Sequence, residues 1–144
     1  MSPLLVDTSV LIKWFHSTGE GDLAAARALR DAHLSGRLEV HVLDLAVYEV
    51  GNVLSRALRW PADEVAAQLD DLLTICGTPI VIQFDWLRDA ATLAAEHGLT
   101  FYDAAWAATA RGLSIPLVSA DRGLIAAGLA LSPSVAAERL GLST

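Results

Sequence analysis

The sequence predicts an α/β fold with a largely parallel central sheet flanked by helices on both faces. Two observations predict it. Short β-type runs, LLV at 4–6, LEVHVL at 38–43, PIVIQF at 79–84 and IPLV at 115–118, alternate with longer stretches of helical pattern. Strands separated by helices imply βαβ crossovers, which pair parallel and cover both sheet faces. The chain has 144 residues, 53% of them hydrophobic, which is enough for one sizeable core. A single domain over 1–144 is therefore expected.

The elements follow in order. Leu4–Val6 is a short apolar strand, and Val10–Phe15 has a helical pattern. Leu23–Leu34, rich in Ala, Arg and Leu, is a helix closed by Gly36. Leu38–Leu43 alternates as a strand does. Asp44 is placed to cap a helix running to about Trp60, and Pro61 suits the first turn of the next. Pro79–Phe84 is expected as a strand, followed by a helix capped by Asp85 and ended by Gly98. Phe101–Arg111 is a helix stopped by Gly112. Ile115–Val118 is a strand, Asp121–Ala127 a short helix, and Pro133–Leu140 one or two further helical turns.

Composition excludes several classes. The longest uncharged candidate for a membrane span, Gly123–Ala137, is short and holds Pro133 and two serines. The N-terminus MSPLLVD has no basic segment and reaches an acid by position 7, so no signal peptide is expected. Cys76 is the only cysteine, which rules out an internal disulfide and a thiolate zinc cluster and suits a reducing cytoplasm. The net charge of −7 argues against nonspecific nucleic-acid binding through a basic surface. The mean hydropathy of +0.44 is that of a folded chain. His16, His33, His41 and His97 show no metal-ligand spacing, and Trp14, Trp60, Trp86 and Trp106 read first as core or interface aromatics.

Four acids carry the chemistry. Asp7 follows the first strand and Asp121 follows the last, where α/β sheets place their sites. Either alone reads as a helix cap. Asp103, three residues after Thr100, reads alone as half of a capping box, yet it opens a helix whose next residues are almost all apolar. Glu49 sits within an apolar helical stretch, where a carboxylate costs several kcal/mol unless paired or coordinated. A solvated stripe of Glu49, Asn52 and Arg56 is the plainer reading of that acid alone. Together, the α/β topology can bring all four to one rim. Carboxylates gathered there repel one another and need protonation or a hard, oxygen-seeking cation such as Mg²⁺. That is the usual arrangement for metal-assisted phosphodiester hydrolysis.

The segments DTSVLI at Asp7, YEVGNVL at Glu49, FYDAAWAA at Asp103 and SADRGL at Asp121 resemble, in order and over nearly the whole chain, those of PIN-domain ribonucleases of the VapC toxin type. The resemblance implies a PIN-like fold and an Mg²⁺-dependent endoribonuclease, with Mn²⁺ as substitute, leaving a 5′-phosphate and a 3′-hydroxyl. It implies that Asp7, Glu49, Asp103 and Asp121 form the catalytic site. Asp7 and Asp103 are expected as direct metal ligands, and Glu49 and Asp121 as ligands directly or through water. Ser119 stands where the family carries Thr or Ser, and would orient the site. Thr8, Ser9 and Asn52 are weaker candidates for supporting roles. The expected partners are RNA, a cognate antitoxin and a second copy of the chain, with no membrane. Trp14, Phe15, Leu54, Leu58 and Trp60 are candidates for an apolar antitoxin groove, although core packing explains them equally well. Lys13, Arg88, Arg111 and Arg122 are candidate guides for RNA, with solvated surface charge the plainer reading of each.

Rival readings fail on particular residues. An aspartyl phosphatase wants a second Asp two positions after Asp7, and Ser9 stands there. A phosphoacceptor receiver domain wants an acidic pair and a late lysine, and Lys13 is the only lysine. A PIN domain that processes RNA outside any toxin system remains open, as does a non-catalytic PIN-like module, although a module of that kind would typically have lost some of these acids.

Overall fold

A computed structural model describes residues 2–144. Three parallel strands lie in the order β2–β1–β3, with β1 Ser2–Val6 in the centre, β2 Leu38–His41 and β3 Leu117–Val118. Ser2 pairs with Leu38 and Leu5 with His41 on one side; Leu5 pairs with Leu117 and Val6 with Val118 on the other. Leu4, Leu5 and Val6 are all buried. Since successive side chains of a strand point to opposite faces, both faces of the sheet are covered, as the sequence predicts.

The helices are α1 Thr8–Leu11, α2 Leu23–Leu34, α3 Leu45–Asn52, α4 Ala62–Cys76, α5 Phe84–His97, α6 Phe101–Leu113, α7 Arg122–Ala126 and α8 Pro133–Arg139. A 3₁₀ turn, Ile12–Trp14, extends α1. The largest fully buried side chains include Leu5, Leu11, Leu29, Leu43, Leu54, Trp106 and Leu117, drawn from strands and helices alike. His33 staples three elements. The Val40 N–H donates to its Nδ1 at 3.0 Å, so the proton sits on Nε2 and is shared with the Ile75 carbonyl at 2.6 Å.

Five local expectations are corrected. PIVIQF is not a strand: only Ile80 joins the sheet, in a single bridge to Leu43, and α5 begins at Phe84. Val81 and Phe84 are 71% and 68% exposed, so no second layer covers the run and its β propensity goes unused. Gly112 does not stop α6. The helix runs on to Leu113 and ends at Ser114 with φ 55°. Gly112 is there because a Cβ would lie 2.1 Å from the Trp86 indole nitrogen of α5. Asp44 makes no capping bond, and its helix ends early: α3 passes into one π-helical turn, Val53–Ala57, and Arg59 breaks it with φ 55°. Pro61 stands at the cap position rather than inside α4. Gln83, not Asp85, occupies the cap of α5, with Asp85 in its first turn. Among the described residues no helix is long and apolar enough to cross a membrane.

Candidate active site

Asp7 is the first residue beyond β1, and its own N–H reaches the Val118 carbonyl of β3 at 3.1 Å. It holds the cap position of α1 but makes no capping bond with its side chain. The carboxylate turns inward instead, is 4% exposed, and accepts the Ser9 hydroxyl at 2.5 Å. Ser9 Oγ accepts the Ala120 N–H at 2.9 Å and lies 3.4 Å from Ser119 Oγ. Ser119 Oγ in turn accepts the Asp121 N–H at 3.0 Å. Asp121 caps α7 by accepting the Leu124 N–H at 2.9 Å. Two hydroxyls thus bridge the acid leaving β1 to the acid following β3.

A second bridge ties in Glu49 and reaches the helix that carries Asp103. Glu49, on α3, accepts the Thr8 hydroxyl at 2.9 Å and the Trp106 indole N–H at 3.1 Å, both on Oε1. Trp106 is one helical turn beyond Asp103 on α6 and so shares its face. Asp103 sits in the first turn, where its N–H is capped by Thr100 Oγ1 at 3.1 Å. Thr8, next to Asp7, therefore connects the β1 exit to α3 and, through Glu49, to α6.

Electrostatics report the same crowding. Burial pushes the Asp7 carboxyl up from 3.8 to about 6, against the Ser119 and Ser9 hydroxyls and the Val10 N–H, with the Asp103 charge adding to the rise. Asp103 is also raised, by burial first and then by the Asp121 charge, with Thr100 opposing. The donors on this rim are oxygens, and Asp7 and Asp103 carry their negative charge at a cost, because of burial and of a neighbouring charge, that of Asp103 on Asp7 and that of Asp121 on Asp103. That donor set fits a hard divalent cation. Among the described residues, no three acidic, histidine or cysteine side chains are drawn together into a ready-made ion cage. A cavity of about 310 Å³ lined by Ala110, Leu117 and Leu131 lies toward the start of β3, and none of the four acids lines it.

Thr8, Ser9 and Ser119 hold the acids by the bonds above. Asn52 is exposed and makes no side-chain hydrogen bond among the described residues. Lys13 is no guide for RNA: it is 6% exposed and bound to Glu20 at 3.2 Å and to the Gly21 carbonyl at 2.7 Å. Arg88 lies over the Phe84 ring, 3.8 Å from Asp85. Arg111 borders the cavity, and Arg122 is exposed beside Asp121. Trp14 and Leu54 are interior, whereas Phe15 and Trp60 form a half-buried edge-to-face pair at 6.3 Å. Trp106 is the residue that sequence reasoning underrates. Its signal is a lone indole N–H within an alanine-rich helix, since a buried indole needs an acceptor and Glu49 needs donors.

The PIN domain family model matches residues 4–128. The chain is 35% identical over 125 residues to Ribonuclease VapC3 of Pyrobaculum aerophilum, covering 84% of this chain and 91% of that one. It is 34% identical over 104 residues to Exonuclease VapC9 of the same organism, covering 72% and 78%. The crystal structure of PAE2754 from Pyrobaculum aerophilum superposes with a TM-score of 0.68 at 29% identity, covering 97% of each chain. A toxin–antitoxin complex from Klebsiella pneumoniae matches the fold with a TM-score of 0.65 at 20% identity, over 90% of this chain and 97% of that one. A three-stranded parallel sheet, a family match over residues 4–128 and a relative 35% identical over 84% of the sequence make this chain a VapC-type member of the PIN-domain family.

Proposed function

We propose that the protein is a divalent-cation-dependent endoribonuclease and the toxin of a VapBC-like toxin–antitoxin pair. The observation that carries this reading is the linkage of Asp7, Glu49, Asp103 and Asp121, from four separate elements, at the exit of the central strand. Asp7 and Asp103 would hold Mg²⁺ or Mn²⁺ directly, with Glu49 and Asp121 assisting directly or through water. Mg²⁺ commonly binds through one or two carboxylates and completes its shell with water and phosphate oxygens, so a closed protein cage is not needed. When bound, the ion supplies charge for the phosphoryl oxygens and a water of lowered pKa.

The protein's own groups do the rest. Ser9 fixes the Asp7 carboxylate, with the Ser119 hydroxyl beside it. Thr8 and Trp106 occupy Glu49 Oε1, leaving Oε2 without a protein donor among the described residues and free to orient or accept a proton from water. The open rim admits a chain rather than a small ester.

Cleavage of an internally labelled RNA in Mg²⁺ or Mn²⁺, stopping with EDTA, is the expected result. Undiminished cutting in EDTA overturns the mechanism. A second reading, stepwise removal of nucleotides from an end, is favoured by the exonuclease name of one relative. A circular RNA decides between the two, because only an endonuclease opens it. The reading also holds that the chain is a cytoplasmic homodimer that binds a small antitoxin. A monomeric mass at micromolar concentration, with and without the product of a neighbouring antitoxin-like gene, would contradict that part.

A further inference from the structure

The cavity of about 310 Å³ at the amino end of β3 plays no part in the acid site. Its walls are apolar: Ala110 of α6, Ile115 and Leu117 around the start of β3, and Leu131 beside it. Two arginines complete the lining, Arg111 from the last turn of α6 and Arg139 from the last turn of α8. No aspartate or glutamate among the described residues lines it. The length of α6 separates it from the acid rim, because Asp103 stands in the first turn of that helix and Arg111 in the last. At about 1.5 Å per residue, the two are about 12 Å apart along the helix axis.

Each arginine alone has a plain explanation, since a cation in the last turn of a helix meets the negative end of its dipole. What sets these two apart is convergence. They come from different helices onto one apolar hollow, and neither guanidinium makes an ion pair or a hydrogen bond among the described residues. By contrast, the cavity that Arg37 borders has the Asp31 carboxylate in its own lining. Two like charges on one hollow repel, and an anion placed between them relieves the repulsion. Guanidinium presents paired N–H donors that match a carboxylate or a phosphate. Apolar walls add affinity for whatever carries that anion. The volume is at the lower end of the range for small-molecule sites.

We propose that this cavity is a second binding site, for a small organic anion: a carboxylate or phosphate held by Arg111 and Arg139, on an aromatic or aliphatic body seated against Ile115, Leu117 and Leu131. It does not depend on the nuclease reading.

The probes are phenyl phosphate and 3-phenylpropanoate, with 3-phenylpropanamide as the uncharged control and inorganic phosphate as the control without an apolar body. Binding to the full chain is followed by calorimetry and by backbone amide shifts. At least one of the two organic anions binds with a Kd of about 1 mM or tighter, and the better one names the headgroup. The shifts fall on the cavity lining. The amide binds about 10- to 150-fold more weakly than the carboxylate, the loss expected when a charge-assisted hydrogen bond is removed. Arg111→Gln and Arg139→Gln each weaken the anion by a similar factor and leave the amide unchanged, while Arg→Lys at either position falls between Gln and wild type. Both side chains are exposed, so thermal melts of these variants match wild type. Asp103→Asn binds the anion as wild type does, because the rim acids lie outside the cavity.

Absence of binding by either organic anion at about 10 mM overturns the proposal. So does anion binding that survives both Arg→Gln substitutions. Equal affinity for phenyl phosphate and inorganic phosphate reduces the site to two surface charges and overturns it as well. A change of molecular mass in the Arg→Gln variants, with no anion bound by wild type, gives the hollow to a second copy of the chain. Displacement of the bound probe by RNA gives the arginines to the nucleic acid, and both outcomes overturn the small-anion site. None of these measurements reads RNA cleavage, so failure here leaves the nuclease reading standing, and failure of that reading leaves this site standing.

Discussion

Trp106 does two things with one ring. Its carbons fill the core at 2% exposure, while its N–H points at Glu49. Trp106→Phe keeps an aromatic and removes the donor; Thr8→Val removes the other donor with almost no change of shape. Each substitution is expected to cost about 10- to 100-fold in metal affinity or activity, the usual effect of losing a group that orients a ligand. The check is the Mg²⁺ midpoint of cleavage, and an unmoved midpoint in both variants would detach Glu49 from the site. Asp7 gives a pH test. Its carboxyl titrates near 6 in the fold against 3.8 as the ordinary value, so the native state holds a proton that the unfolded chain has released. Without a divalent cation, that adds about 3 kcal/mol of stability below pH 4, which fades as pH rises through 6. Asp7→Asn cannot lose this contribution. In EDTA it should be more stable than wild type at pH 8, and the gap should close near pH 4. Urea melts at the two pH values measure it, and a gap independent of pH contradicts the buried-acid assignment.

At the scale of elements, α5 and α6 pack so closely that a glycine is required where they meet. Ala is the better helix former, and on an open helix surface Gly112→Ala would stabilise by up to about 1 kcal/mol. Here the added Cβ would lie 2.1 to 2.6 Å from three atoms of the Trp86 indole. Overpacking of this kind costs about 1 to 3 kcal/mol, so the net change should be destabilising. A higher denaturation midpoint for Gly112→Ala would show that the two helices can separate freely. The same pairing matters for function, because α6 carries both Asp103 and Trp106 and α5 fixes its position.

At the scale of the whole molecule, the four acids come from distant parts of the chain, and folding brings Asp103 within electrostatic reach of both Asp7 and Asp121. Asp103 is raised by burial and by Asp121, and Asp7 is raised in part by Asp103. Asp103→Asn relieves some of that repulsion while leaving the backbone cap on Thr100 intact. In EDTA near neutral pH it should melt above wild type. Mg²⁺ should raise the wild-type midpoint by mass action and raise that of the variant less. Coincident melts that ignore Mg²⁺ would leave Asp103 as a helix-start residue alone.

Features that depend on neighbours along the chain are legible before folding. Leu23–Leu34 is a helix with the predicted bounds, because periodicity and a closing turn are local signals. The strand ahead of Asp7, the Thr100 cap ahead of Asp103 and the Asp121 cap of α7 were legible for the same reason. The order of the four acids within their motifs was enough to name the family. Tertiary structure alone decided which hydroxyl meets which acid: Thr8 and Glu49 are 41 residues apart, Trp106 and Glu49 57, and Ser9 and Ser119 110. It also made Gly112 a contact instead of a stop, left PIVIQF at a single bridge, and buried Lys13 on Glu20. Local propensity is a matter of tenths of a kcal/mol to about 1 kcal/mol per residue. Excluded volume against an indole, or a buried charge that must find its counterion, outweighs it, and neither can be read until the distant partner is in place.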